Sequence, residues 1–283
     1  MTIWEADFYR RPLQDASGHP LWELIICDSG KTFTTFAFCP QSEANSAWIT
    51  TQLQRLANAK GLPEQIYVFR PQAISLLQVA CQPLGIKVEA TRRTPALKQV
   101  LQDRSLHYPT LPNAVNQPYN PVELEKPPPL PLPENLWGDQ WRFAAIAASD
   151  LVPAFQTRPI PILEIPNFLN PIQLGLPSTA SVPGIVIDGG RRSMPLARWL
   201  QQVKPFALTY FPGDPDGLIL EAGLVDRWVL TTFDDPDVIA AAITFRERQQ
   251  TAKGLHFLLV QPDNSGMTYS GFWLLQSDLG LSV

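Results

Sequence analysis

WEADFYRRPLQDASGHPLWELIICDSGKTFTTFAF, Trp4 to Phe38, decides the fold of the first half of the chain. Trp4, Ala6 and Phe8 alternate with Glu5, Asp7 and Tyr9, the two-residue period of a strand. The turn residues Asp15 to Gly18 separate it from a second strand, Leu21 to Cys27. Asp28-Ser-Gly30 then leads to a third, Phe33 to Phe38. Connections this short specify an antiparallel meander.

Working outward, the period changes from two to between three and four. Ile49, Leu53 and Leu56 predict a helix over 43–60, stopped by Gly61. Ile66 to Phe69 is a short strand, and Pro71 opens a helix with Ile74, Leu77, Cys81 and Leu84 on one face. Ile86 to Ala90 is a fifth strand. Thr94-Pro95 starts a last helix carrying Leu97, Val100 and Leu101. The order β-β-β-α-β-α-β-α implies a mixed sheet with helices on its faces, an arrangement that resembles the ribonuclease H-like fold.

Nine prolines between Pro109 and Pro133 interrupt the pattern. Proline donates no backbone hydrogen bond and fixes φ, so the stretch is expected to be extended, a linker or a surface strap. This divides the chain into a first α/β domain over 1–107, a proline-rich linker over 108–136 and a second mixed-sheet α/β domain over 137–283. In the second domain, strands are expected at 141–147, 184–187, 206–211, 218–222, 227–232, 255–260 and 269–275, with helices after Ser149, Ser193 and Asp235. Three strands, a helix and a strand echo the first half, although no residue motif repeats.

Composition excludes several classes. The 283 residues are 45% hydrophobic and 17% charged, as in ordinary globular proteins. No apolar run approaches the ~18 residues of a membrane span. The net charge is −4, which disfavours a generic polyanion binder. Residues 1–110 carry 11 Lys/Arg against 9 Asp/Glu, and 111–283 carry 11 against 17, so the first half is the better partner for a polyanion. Three cysteines and three histidines show no metal-ligand spacing, and no cofactor motif is present. The start MTIWEADFY has neither a basic-then-apolar leader nor a transit-peptide composition, so a cytoplasmic location is expected.

The candidate chemistry is cationic and aromatic. In ribonuclease H-type nucleases, acids from the first strand, the first helix and the end of the fourth strand hold two metal ions. Asp7 and Glu43 occupy the first two places, but Arg70 stands at the third. A guanidinium there repels a cation and is placed to pair with Asp7 or Glu5. Arg70, Arg92 and Arg93 instead lie where strands pass into helices, a common ligand position in open α/β sheets. Gly189-Gly190-Arg191-Arg192-Ser193 repeats that placement, without being a P-loop. Of eight tryptophans, Trp137 and Trp141 fall just after the prolines and are the best candidates to stack unpaired bases.

Several segments together carry a family resemblance. WEADFYRRP (4–12), WELIICD (22–28), RPQ (70–72), RRTPAL (92–97), WGDQW (137–141), PGIVIDGGRRSMPLARWL (183–200) and GLHFLLVQ (254–261) resemble, in order, the Tab-two family. The resemblance implies an RNA-binding activator of translation of photosystem messages, without catalysis; the start without transit-peptide composition makes a cyanobacterial-type member the expectation. Its partner would be single-stranded mRNA. The arginines above and the two tryptophans are the expected contacts, assigned from their placement and not from the family. Two other readings are a scaffold for ribosomal or photosystem-assembly proteins and a metal-dependent nuclease.

Overall fold

The computed structural model describes residues 2–277. The chain divides between Glu125 and Lys126 into two compact units. Both are α/β with mixed sheets, and the described residues form six α-helices.

In the first unit, β1 (Ile3–Gln14), β2 (Pro20–Asp28) and β3 (Thr34–Pro40) form the meander. Then come α1 (Ser46–Lys60), β4 (Gln65–Val68), α2 (Pro71–Cys81), β5 (Lys87–Ala90) and α3 (Pro95–His107). The sheet order is β3-β2-β1-β4-β5. The meander pairs are antiparallel, and β1–β4 and β4–β5 are parallel. Helix α1 starts later than the apolar period suggests. Asn45 caps it by accepting from the Trp48 amide at 2.9 Å, while Gln41–Glu43 forms a separate 3-10 turn.

The alternation along β1 sorts its side chains onto two buried faces. Trp4, Ala6 and Phe8 join Ile49 and Leu53 of α1 and Leu77 of α2 in one core. On the opposite face Ile25, Cys27 and Phe69 pack against Leu97 and Leu101 of α3. Glu5 and Asp7 belong to that second face and are 2% and 0% exposed, so the polar positions of the alternation are not solvated. Glu5 Oε2 accepts from the Leu97 amide at 2.8 Å, at the start of α3, where Thr94 supplies no side-chain cap. Burial raises the Glu5 carboxyl above the usual range, and the Leu97 bond partly offsets it.

Neither half of the proline-rich stretch is a free spacer. Residues up to 125 strap the first unit. Leu13 bridges to Ala114, the Val115 amide donates to the Pro12 carbonyl at 2.9 Å, and Val122 and Leu124 pack on the α3 side. Leu130–Pro131 instead adds a short parallel strand, β6, to the second unit. Extended backbone without donors suits both tasks, because a strap needs little more than acceptors and apolar faces.

The second unit continues with β7 (Gln140–Ala147), α4 (Ala148–Gln156), β8 (Ile162–Glu164), β9 (Ser181–Asp188) and α5 (Ser193–Val203). The meander β10 (Pro205–Phe211), β11 (Asp216–Ala222) and β12 (Asp226–Phe233) follows. It closes with α6 (Pro236–Thr251), β13 (Leu255–Gln261) and β14 (Gly271–Gln276). The sheets run β10-β11-β12-β6 and β7-β9-β13-β14-β8. The meander and the strand after its helix therefore lie in different sheets, whereas in the first unit they share one. The echo in the sequence is not a repeated topology. Leu208, Leu218 and Leu220 of one sheet share a core with Leu258 and Trp273 of the other and with Leu196 and Leu200 of α5.

One imidazole ties these two sheets together. His256 is fully buried; its Nε2 accepts from the Leu208 amide at 2.8 Å, and Nδ1 lies 2.8 Å from the Gly254 carbonyl. Accepting at Nε2 leaves the proton on Nδ1, so the folded ring is neutral. Burial pushes its pKa down to about 4. The folded state then binds fewer protons than the unfolded state between pH 6.5 and 4, so stability is present above that window and is lost as pH falls through it. The expected loss is about 3 kcal/mol, read as a falling urea midpoint. His256→Gln should remove most of that dependence; an equal pH dependence in the variant would contradict the assignment.

Candidate functional site

The basic residues of the first unit separate into buried and exposed groups. Arg70 is 4% exposed and is not a surface ledge. Its Nε donates to Asp7 Oδ1 at 2.9 Å, Nη2 to the Pro121 carbonyl at 2.6 Å and Nη1 to the Glu123 carbonyl at 3.4 Å. Its guanidinium also lies 4.2 Å from the Tyr9 ring centroid. The expected contact with a polyanion at Arg70 is therefore corrected: every edge of the group is spent inside the fold. Arg92 is corrected likewise, being 5% exposed. Of the three, Arg93 alone stands at the surface.

Arg11, unremarked in the sequence, completes the arrangement. Its Nη2 donates to Asp7 Oδ2 at 3.0 Å, Nε to Glu23 Oε2 at 3.2 Å and Nη1 to the Tyr119 hydroxyl at 3.0 Å. Burial opposes its charge, but Asp7 and its other neighbours hold it more firmly protonated than usual. Glu23 also accepts from Arg104 Nη2 at 2.6 Å and from the Tyr108 hydroxyl. Burial raises the Tyr108 hydroxyl, which stays a donor. Both oxygens of Asp7 thus face guanidiniums. Among the described residues no cluster of three His, Cys, Asp or Glu side chains is placed to hold a cation. The buried thiols are protonated, with burial pushing Cys27 and Cys81 up to about 12 and Cys39 to about 11.

Of the residues expected in the second unit, Trp137 meets Arg192, and Trp137 and Trp141 line one cavity. Trp137 is 51% exposed, and its indole donates to the Leu132 carbonyl at 2.9 Å. The exposed Arg192 donates through Nη1 to the Trp137 carbonyl at 3.0 Å, and Arg191 is exposed beside it in the chain. Trp141 is half-buried, 5.4 Å from Phe143 and 5.6 Å from Phe233 between ring centroids. Trp137 and Trp141 line a cavity of about 320 Å³ with Leu132, Leu136, Leu196 and Thr231. Backbone sterics fix this corner. A Cβ on Gly138 would collide with Ile187, and Gly190, at φ +52°, has the Asp139 carboxylate where its Cβ would stand.

The loop after β9 is not an open anion cradle. The Gly189 and Gly190 amides donate to the carbonyls of Gln261 and Pro262 at 2.8 and 2.9 Å. Any anion here would meet side chains and not a nest of amides. Arg142, half-exposed on β7, pairs with Asp188 at 2.6 Å, and Gln261 holds the other Asp188 oxygen at 2.7 Å.

The sequence reading missed Phe36 and Phe38, which are 42% and 39% exposed. Their spacing by two on a strand was visible. That the strand lies at a sheet edge was not.

Comparison with known proteins follows this division. The N-terminal family profile described as "RNA-binding protein Tab2/Atab2 N terminal" matches residues 3–104, and the corresponding C-terminal domain matches 119–276. The chain belongs to the Tab2/Atab2 family. A family relative from Zea mays, "Protein TAB2 homolog, chloroplastic", is 31% identical over 284 residues, covering 96% of this chain and 70% of its own. The Arabidopsis thaliana protein of the same name is 29% identical over 286 residues, covering 96% and 74%. Among solved structures, an HTLV-2 integrase catalytic core with magnesium covers 40% of this chain and 79% of its own at 19% identity. Its TM-score is 0.27.

Asp7 is shared by two buried guanidiniums, so removing it leaves both short of a partner. Asp7→Ala should cost roughly 3–5 kcal/mol in urea unfolding of the full chain. A loss below about 1 kcal/mol would show that the pairs contribute little.

Proposed function

We propose that this protein is a non-enzymatic RNA-binding factor that promotes translation of photosystem messages. It would hold single-stranded RNA through Trp137, Trp141, Arg191 and Arg192 of the second unit; Arg93 is a separate candidate contact on the first unit. The observation that carries the reading is the exposed Trp137, which lines a cavity and whose carbonyl accepts from Arg192. An indole offers a stacking face to any base, and adjacent guanidiniums meet the phosphates. Family membership supports RNA as the ligand, through the description the matched profiles bear. The chloroplast relatives support the photosynthetic setting.

We further propose that the first unit is a ribonuclease H-like domain whose metal site has been replaced by ion pairs, joined to a second domain at the proline-rich stretch. The strand order β3-β2-β1-β4-β5 supports the relation, and the Asp7–Arg70 pair supports the loss of metal chemistry. Buried, protonated thiols suit a reducing compartment such as the cytoplasm. No helix of the described residues is long and apolar enough to cross a membrane.

The test is fluorescence anisotropy with labelled single-stranded RNA over a range of salt. Arg191→Ala with Arg192→Ala should weaken binding similarly for different sequences and flatten the log–log salt slope by about 0.7 per lost phosphate contact. Unchanged affinity in the folded double variant removes the assignment of these arginines. Magnesium-dependent cleavage of the RNA would overturn the non-enzymatic reading.

A further inference from the structure

Strand β3 forms one edge of the first unit's sheet, and its residues Phe36 and Phe38 lie opposite Ile25 and Glu23 of β2. That register puts both rings on the face covered by α3. Helix α3 packs on Ile25 and Cys27, and the two rings beside them keep 42% and 39% of their surface in water. Two large rings left partly exposed side by side form an apolar patch that is more informative than a single exposed side chain. Residues i and i+2 of a strand stand about 7 Å apart on one face. Two successive splayed-out bases can match that spacing, as on the aromatic-bearing sheets of RNA-recognition modules.

The electrostatics at this edge favour an anion. The mutually bonded ionic groups behind it are the carboxylates of Asp7 and Glu23 and the guanidiniums of Arg11, Arg70 and Arg104. Cations exceed anions by one. Asp7, Arg11 and Glu23 have fully buried side chains, Arg70 is 5% exposed and Arg104 is 17% exposed, so the surplus charge reaches solvent at Arg104. Its guanidinium lies 4.1 Å from the Phe36 centroid and 5.5 Å from that of Phe38. Nε and Nη2 both donate to Glu23, which holds the group in place as a further stacking surface. In the β2–β3 turn, Lys31 reaches Gln99 of α3 at 2.5 Å and adds a second cation. The nearby Asp28 carboxylate, held by Thr32 and Phe33, keeps its negative charge and offsets Lys31, so the surplus at this edge remains the one that reaches solvent at Arg104.

We propose that Phe36 and Phe38, with Arg104 lying against them, form a second single-stranded RNA contact, on the first unit. Two successive bases stack on the rings and the guanidinium, and neighbouring phosphates face Arg104 and Lys31. This rests on the RNA reading above and adds, on the first unit, a base-stacking site separate from the tryptophans of the second.

The test compares full-length wild type, Phe36→Ala/Phe38→Ala and Phe36→Tyr/Phe38→Tyr, each checked for folding by thermal melt. The ligand is a labelled single-stranded oligouridine 12-mer. The alanine pair should weaken binding by about 10-fold or more with an unchanged salt slope, because no phosphate contact is lost. The tyrosine pair should restore affinity. If the alanine pair binds as wild type while Arg191→Ala/Arg192→Ala binds weakly, this contact is wrong and the RNA reading stands. If wild type binds no RNA, both fall. If the alanine pair turns a wild-type dimer into a monomer without loss of RNA affinity, the rings serve self-association and the proposal is overturned.

Discussion

The first unit is built around the cost of burying charge. Strand β1 carries Glu5 and Asp7 into a face that α3 closes off from water, and β2 adds Glu23. A carboxylate taken out of water must find donors or a counter-ion, and these three find them in different places. Glu5 meets the amide end of α3. Asp7 meets Arg11 and Arg70, and Glu23 meets Arg11, Arg104 and Tyr108. Because those partners come from β1, the β4–α2 junction and α3, satisfying the acids fixes how the sheet, the helix and the strap meet. A buried ion pair of this kind adds little net stability over an apolar core, but it punishes a misplaced element severely.

The second unit solves a different problem, packing two sheets against each other while leaving a corner open. His256 ties the sheets with a neutral ring. At the corner between β7, β9 and α5, glycines allow the backbone to turn tightly enough that Trp137 is left outside and Trp141 half inside. The same turn brings Arg192 onto the Trp137 carbonyl. Exposure and charge thus meet where the chain has the least room to rearrange, which suits a contact that must be preorganised.

Much of this was legible in the sequence. Period-two and helical patterns placed most of the elements of both halves, because turn residues and apolar periodicity are local signals. The pairing of Arg70 with an acid on β1 followed from its position at the end of the fourth strand. What local signals do not carry is the second face of a sheet. Glu5 and Asp7 look solvated until α3 is folded over them, and Arg70 and Arg92 look available for the same reason. The short strands β6 and β8, of two and three residues, have no period to detect. Trp137 and Trp141 were singled out by their place after the prolines; the cavity they line was not legible, because its walls, from Leu132 to Thr231, come from segments a hundred residues apart. Phe36 and Phe38 were invisible as a surface because edge position is a property of the whole sheet.

The strap over 108–125 sets the smallest piece of this chain that can stand alone. Its Pro121 and Glu123 carbonyls and its Tyr119 hydroxyl complete the coordination of Arg70 and Arg11. Cutting at the end of α3, where the helical pattern stops, would remove those acceptors and leave part of each guanidinium without its partners, although the pairs with Asp7 and Glu23 would remain. A self-sufficient N-terminal fragment must therefore extend to about Glu125, eighteen residues beyond its last helix, and the prolines belong to that fragment's architecture as fully as its strands do.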